Sequence, residues 1–542
     1  MNHSPPDWPH ALSEWQSAIG TEHVWTDAAR LNEKSANVSG LQRRIPAVLR
    51  PASTDEVQRI VQIANRYNTP LYPISCGGNW GLGSAVPVQD GTAVLDLARM
   101  NKISEINAEH RYAVIEPGVT QGQLYDQIQA RNLPLTLNVT GSGRDTSLIG
   151  NALERGIGYF ASRADSLSGL EVVLGSGEIL RTGFGHLAHS KITHLYKYGI
   201  GPDLTGLFAQ SNFGVVTQAG FELLPQADAH MSVLVKIRDE EQFVPFFDAL
   251  VSLRRRHVMH TIWHVGNRAR SEIALAPLLY DQLAARDGTA TPTALRKIAV
   301  DLLGQEGFGP WNAVGGVMGS PGLLREMRRE IKAALRGTAD VEFLTDRRIA
   351  TAKWILDRCS FSATARRKRI LLAAVEPLYG LSKGIPTDAP LKSVCWPTGE
   401  DTAQPLSNPD HCHSGMLYVL PFIPLSGAVA RAVVDEADRL FERDGFTAYT
   451  TLNFVTDQSA EVVINLAFDR RDPAAADSAR RCVDELTASY IAMGYPPYRV
   501  GIQSMGQVTN PDDPFWQTVQ SLKAVLDPRQ IIAPGRYNLS SS

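Results

Sequence analysis

Between Tyr72 and Ala85 the sequence reads YPISCGGNWGLGSA, a glycine-rich turn placed directly after a short apolar run. Gly77, Gly78, Gly81 and Gly83 remove side chains, so backbone amides can close around an anionic group such as a pyrophosphate. An isolated glycine cluster fits an ordinary surface turn equally well. Its meaning depends on what accompanies it along the chain.

At 542 residues the chain exceeds one typical core, and two or three domains are expected. Its 44% hydrophobic and 20% charged residues are those of an ordinary globular protein. A net charge of -3 leaves no basic face for nucleic acid or an acidic membrane, so a small or apolar substrate fits better. The five cysteines, Cys76, Cys359, Cys395, Cys412 and Cys482, show no CxxC pairing. Neither a disulfide framework nor a metal site is expected from them, and the thiols are expected to be reduced. The amino terminus has no charged-then-apolar signal pattern, and no run approaches the roughly 20 apolar residues of a membrane span. A cytoplasmic protein is the expectation.

Ser53 and Glu56 have capping-box spacing, with Val57, Ile60, Val61 and Ala64 on one face of a helix over about 54–67. It leads into a strand at 71–74, the glycine turn, and strand-like runs at 93–97 and 113–116. Thr120 and Gln123 repeat the capping spacing before a helix carrying Leu124 and Ile128. Segments 170–174 and 179–182, joined by Gly175-Ser176-Gly177, read as a hairpin. From about 230 the texture changes to strands at 231–237, 416–422, 448–454 and 462–468, with helices near 239–253, 427–444 and 473–493. That order predicts an antiparallel sheet with helices on one face. The fold class is α+β, with a first domain over 1–229, a second over 230–490 and a segment 491–542 returning to the first. Helices near 294–304 and 322–336 carry Arg296, Lys297, Arg325, Arg328 and Arg329, read as a solvated face. The serine-rich end is expected to fray.

Four further segments matter together: EPGVT at 116–120, GNALERGIGY at 150–159, the run 170–178, and QSNFGVVT at 210–217. With the glycine turn and the terminal APGR at 533–536, they resemble, in order, the vanillyl-alcohol oxidase and para-cresol methylhydroxylase family of flavoproteins. The resemblance covers about 45–225 and the C-terminus, and the middle matches in patches. It implies FAD bound in an elongated pocket between two α+β subdomains, under a cap domain that supplies much of the substrate site. By resemblance, Ile74, Ser75, Cys76, Gly77, Gly78, Asn79, Leu82 and Gly83 wrap the pyrophosphate. Thr140, Gly141, Ser142, Gly150, Asn151 and Gly156 supply small groups near the flavin. Gly214 and Val216 stand at the adenine end, and Arg536 belongs to the terminal motif. Buried phosphate charge needs such donors.

Tyr498-Arg499 aligns with the family's Tyr-Arg pair that holds a substrate phenolate. A phenol has a pKa of about 10, so binding it as the anion calls for a permanent cation and a directed donor. The implied reaction is benzylic oxidation of a para-substituted phenol by hydride transfer to FAD, through a quinone methide. Three departures qualify it. Leu82 stands where the family has a second phenolate-gripping tyrosine. Met416 and Asn79 stand where relatives carry a histidine that links the flavin, so FAD is expected without a covalent bond. His413 lies three residues from Met416, hence on the opposite strand face, while Cys76, His411 and Cys412 leave a link open. Asp165 is the acidic side chain in the segment where the family carries a catalytic aspartate; it reads either as an acid or base for water addition or as a turn cap. Met416, Tyr418, Trp396 and Leu82 are expected to line the substrate pocket, although an aromatic near a cap sheet such as Trp396 is more often core. Partners are a small aromatic substrate, an electron acceptor that is oxygen or a redox protein, and an open possibility of self-association. A D-2-hydroxyacid dehydrogenase, with Arg499 holding a carboxylate, stays open as an alternative.

Overall fold

The computed structural model describes residues 5–286, 290–305, 307–359, 361–400, 406 and 408–539. The serines 540–542, expected to fray, lie outside them. The Ser53 half of the capping box forms as its spacing predicts, while the Glu56 side chain reaches one residue past the cap, to Ala52. The Glu56 amide donates to Ser53 Oγ at 3.2 Å, and the Glu56 carboxylate accepts from the Ala52 amide at 2.7 Å. The helix Thr54–Tyr67 that follows buries Val57, Ile60, Val61, Ile63 and Ala64 and ends at Asn68 in the left-handed conformation. The chain then enters the strand Leu71–Ile74, which pairs in parallel with Ala93–Asp96, itself parallel to Val48–Leu49. A late segment stitches onto the same strand. The Leu71 amide donates to the Ile531 carbonyl and the Ala533 amide to the Leu71 carbonyl, both at 2.7 Å. The glycine turn therefore leaves a strand held on both edges.

A second sheet of five antiparallel strands has Gly214–Glu222 at its centre, between Tyr112–Ile115 and Leu167–Leu174. The expected hairpin is its edge, Leu167–Leu174 with Ile179–Arg181.

The third sheet has eight antiparallel strands and organises the rest. Its order is Asp340–Leu344, Ala229–Lys236, Trp311–Gly319, His264–Asn267, Tyr449–Asn453, Ser459–Asp469, Ser414–Pro424 and Pro497–Arg499. Period-two alternation gives it two faces. Along Ser459–Asp469, Val462, Ile464, Leu466 and Phe468 enter one core with the helices Phe243–Arg255, Gly427–Arg443 and Pro473–Ala492. Each such buried aliphatic contributes roughly 2 kcal/mol. The intervening Glu461, Val463, Asn465 and Ala467 face a cavity instead. Met416, Tyr418 and Leu420 face it from the next strand, while Leu417 and Val419 join the core.

Several elements lie beyond the sequence expectations. A helix Trp8–Ile19 buries Ala11 and Trp15 completely. The helices Arg268–Ala284, Asp346–Arg358 and Ala363–Leu381 fill the middle of the chain. The expectation of reduced thiols is corrected: Cys395 and Cys412, with Cα atoms 5.9 Å apart, form a disulfide. A separation of 17 residues without a motif hides a pairing that only the fold creates. Arg296 also leaves the solvated face assigned to it, lying 3.6 Å from the Trp396 ring centroid. Among the described residues no helix is long and apolar enough to cross a membrane.

Candidate active site

Two cavities meet at the glycine turn. The first, about 150 Å³, is lined by Tyr72 to Asn79, Ser147, Gly150, Asn151, Glu154, Gln210, Gly214 to Val216 and Arg536, among others. The second, about 310 Å³, lies against the open face of the eight-stranded sheet. Gly78, Asn79, Asn151 and Arg499 line both. The turn can pass between them because its glycines leave no room for side chains. Gly81 has φ +75°, and a Cβ there would lie 2.3 Å from the Tyr418 ring. At Gly150 a Cβ would lie 2.7 Å from Ser75 Oγ, so the helix Leu148–Leu153 packs against the turn only through glycine.

Most expected cofactor residues meet here. Ile74, Ser75, Cys76, Gly77, Gly78, Asn79, Gly150, Asn151, Gly214, Val216 and Arg536 line the first cavity. Leu82, Thr140, Gly141 and Ser142 line the second instead. Gly83 and Gly156 line neither. A Cβ on Gly83 would meet Ile502 and one on Gly156 would meet Asn151, so both are packing glycines. Beneath the first cavity Glu154 accepts from Arg536 Nη2 at 2.5 Å, and its other oxygen lies 3.9 Å from Arg499 Nε. Burial works against ionising Glu154, yet the two arginines outweigh it and hold the carboxyl below its ordinary range.

Leu82, Met416 and Tyr418 line the second cavity together with Tyr498 and Arg499. The strand Pro497–Arg499 adds to the edge of Ser414–Pro424, with Arg499 opposite Leu420. Arg499 Nη2 donates to Asn79 Oδ1 at 2.6 Å, tying the sheet edge to the glycine turn. Two expectations are corrected. Trp396 is core: its ring packs against Tyr280 and Arg296, while its neighbours Val394 and Pro397 reach the cavity. Asp165 sits on a surface turn, 71% exposed and 3.4 Å from Lys197, outside both cavities. Alignment by order could not see that a short 3-10 segment, Arg163–Ser166, turns Asp165 outward while burying Arg163.

The sequence reading missed a hydrogen-bonded chain along the second cavity. Tyr498 donates to Glu461 Oε1 at 2.7 Å, and Asn453 Nδ2 donates to Glu461 Oε2 at 2.8 Å. Asn453 Oδ1 then faces His264 Nδ1 at 2.6 Å. With the amide donating to the carboxylate, its oxygen accepts from His264 Nδ1–H, leaving Nε2 as the imidazole's acceptor. Burial pushes His264 down to about 4, so it is neutral at ordinary pH, and pushes the Glu461 carboxyl up. Burial also raises the Tyr159 and Tyr418 hydroxyls, each to about 12. The available signal was Glu461 and Asn465, two polar side chains on one face of an otherwise aliphatic strand.

The comparisons place this architecture. Residues 45–183 match the FAD binding domain family. Over 99% of its length the chain is 33% identical to the 1'-carboxy-chondrochloren decarboxylase of Chondromyces crocatus, covering 98% of that protein. It is 28% identical to the 4-cresol dehydrogenase [hydroxylating] flavoprotein subunit of Pseudomonas putida, across 98% of this chain and 95% of that one. The 4-ethylphenol oxidase of Gulosibacter chungangensis, solved as an isoeugenol complex, superposes with a TM-score of 0.83 at 26% identity, covering 99% of both chains. The chain belongs to the vanillyl-alcohol oxidase and para-cresol methylhydroxylase family. It is an FAD-dependent oxidoreductase. The first cavity of this family member suits the cofactor: a glycine-lined turn to approach phosphate, and, on its lining residues Glu154 and Arg499, a buried Oε2 and Nε without hydrogen-bond partners among the described residues.

Proposed function

We propose that this enzyme oxidises the benzylic carbon of a para-substituted phenol held in the second cavity. The observation that carries this reading is Arg499, which lines both cavities beside a tyrosine already bonded to a buried carboxylate. Residues 72–79, 147–151 and 214–216 would hold FAD, which when bound supplies a two-electron acceptor for the hydride leaving the benzylic carbon.

The protein's own part is to make the phenol electron-rich. Because the Tyr498 proton is directed at Glu461, the Tyr498 oxygen offers a lone pair to an arriving phenol. The phenol proton passes to Tyr498 as the Tyr498 proton passes to Glu461, a base strengthened by burial. Arg499 then faces the phenolate with a fixed positive charge. Leu82 supplies no hydroxyl, and we assign the second donor to Tyr418, whose ring packs under Gly81 in the same cavity. Once hydride leaves, the para-quinone methide resolves by adding water or by losing a group from the adjacent carbon. Asp165 has no place in that step.

The flavin is held without a covalent bond in this reading. Asn79 and Met416 offer no nucleophile, Cys412 is consumed by its disulfide, and His411 and His413 are exposed. Burial pushes the Cys76 thiol up to about 12, far from a reactive thiolate. Flavin in the supernatant after acid precipitation is the expected result.

Anaerobic addition of 4-ethylphenol to the holoenzyme should bleach the flavin. Bleaching by lactate-like acids with indifference to phenols would overturn this proposal in favour of a 2-hydroxyacid dehydrogenase. Return of colour in air identifies oxygen as the acceptor, and its failure points to a redox protein.

A further inference from the structure

The second cavity holds a second cation that the phenol reading leaves unused. Arg270 stands in the first turn of the helix Arg268–Ala284, directly after the strand His264–Asn267, and lines the cavity with Tyr159, His264 and Tyr418. Its backbone is fixed, the amide donating to Asn267 Oδ1 at 2.9 Å. Its guanidinium is not. Among the described residues no carboxylate lies within 4.0 Å of it, no aromatic ring stacks on it, and Nη1 is buried without a hydrogen-bond partner.

Three other arginines, Arg536 and Arg163 buried and Arg499 13% exposed, have partners. Arg536 has Glu154 and the Tyr72 hydroxyl. Arg163 donates to the Asn138 carbonyl at 2.8 Å and to Gln121 Oε1 at 2.6 Å. Arg499 has Asn79. An enclosed guanidinium with neither a counter-ion nor neutral acceptors such as those of Arg163 is costly, and a ligand that completes the pair would remove that cost. Desolvation lowers the Arg270 pKa, and its electrostatic neighbours are Tyr159 and Tyr418, with no acid among them. Tyr159 adds a hydroxyl to the same cavity, and His264 Nε2 is buried without a hydrogen-bond partner among the described residues.

The phosphates of FAD are a poor match for this charge, because Arg270 is absent from the first cavity, where the phosphate-suited turn lies. The phenolate is already served by Arg499 and Tyr498. A planar fork beside a phenol hydroxyl, in a small cavity, suits a carboxylate.

We propose that the substrate is a phenol whose para side chain ends in a carboxylate, bound by Arg270 with Tyr159 in the cavity that also holds the Arg499 phenolate site. This rests on the phenol reading for the identity of the other end, and on Arg270 alone for the carboxylate.

The test compares 3-(4-hydroxyphenyl)propanoate with its methyl ester as substrates of the holoenzyme. Wild type should favour the acid by about a hundredfold in kcat/KM, mostly through KM, since an unanswered buried charge is what the ester leaves behind. In Arg270→Met that preference should fall to about threefold or less, with Arg270→Lys between. An unchanged acid-to-ester ratio in Arg270→Met overturns the proposal. So does loss of flavin from both variants, which would make Arg270 a cofactor residue. If neither phenol bleaches the flavin, the phenol reading fails separately. The carboxylate site is then judged by 3-phenylpropanoate, titrated against the flavin absorbance. Binding weakened at least tenfold by Arg270→Met upholds it, and equal binding overturns it.

Discussion

The two cavities are built in opposite ways. The first is made largely of short contiguous stretches, 72–79, 146–154 and 208–216, in which turns and small residues do the shaping. The second draws single residues from separate strands: Met416, Tyr418 and Leu420, then Tyr449, Thr451 and Asn453, then Glu461 to Ala467. A cofactor that is the same across a family suits a cradle of backbone amides, which no side-chain change disturbs. A substrate that differs among relatives suits a sheet face, where every second residue can vary while the other half keeps the core.

That contrast is open to test, beginning with the largest expected effect. Gly150→Val should yield protein with its far-UV circular dichroism retained but without bound flavin, because its side chain collides with Ser75. Normal flavin absorbance in the purified variant would mean that the first cavity is less dependent on small residues than proposed. Arg499→Met touches both cavities and should lower kcat/KM for phenols by about 10³-fold. If flavin content falls together with activity, the two cavities share this residue functionally as well as spatially.

Glu461→Gln should cost about 10²-fold in kcat and leave flavin content intact. Its sign with pH follows from the raised carboxyl. Below that pKa Glu461 carries a proton and cannot accept one from Tyr498, so wild-type activity should fall as pH drops through it. Glu461→Gln should lack that acidic limb, and a limb that persisted would assign the base elsewhere. Asp165→Asn should change activity by less than about twofold, in keeping with its exposed position. A loss of a hundredfold would restore the catalytic reading that the alignment suggested.

Legibility follows the same division. The helix Thr54–Tyr67, the strand Leu71–Ile74 and the glycine turn could be read because cap, periodicity and turn chemistry all act within a few residues. The face alternation of Ser459–Asp469 was visible as a strand, but nothing in it told Glu461 apart from a solvent-facing glutamate. Asp165 was named for its place in the order of segments, and order does not carry direction; Trp396 was named as an aromatic near the cap sheet, and residue type does not tell a pocket wall from a core. The helix Trp8–Ile19 went unread because nothing in its neighbourhood announces that Trp15 is fully enclosed, donating from its indole to the Ile60 carbonyl at 3.1 Å. The Cys395–Cys412 bond is of the same kind.

By itself the sequence determined where backbone can approach phosphate, since glycine's missing side chain is a local property, and with it the cofactor and the family. It also determined that Tyr498 and Arg499 arrive as neighbours. Only the tertiary structure decided that the pair joins the edge of the eight-stranded sheet, that Asn453 and Glu461 connect Tyr498 to His264, and that Arg270 faces the same cavity without a counter-ion among the described residues. The physical reason is range. Turns and caps are settled by bonds within a few residues, whereas a buried charge and its partner are defined by which strands, hundreds of residues apart, come to share one face.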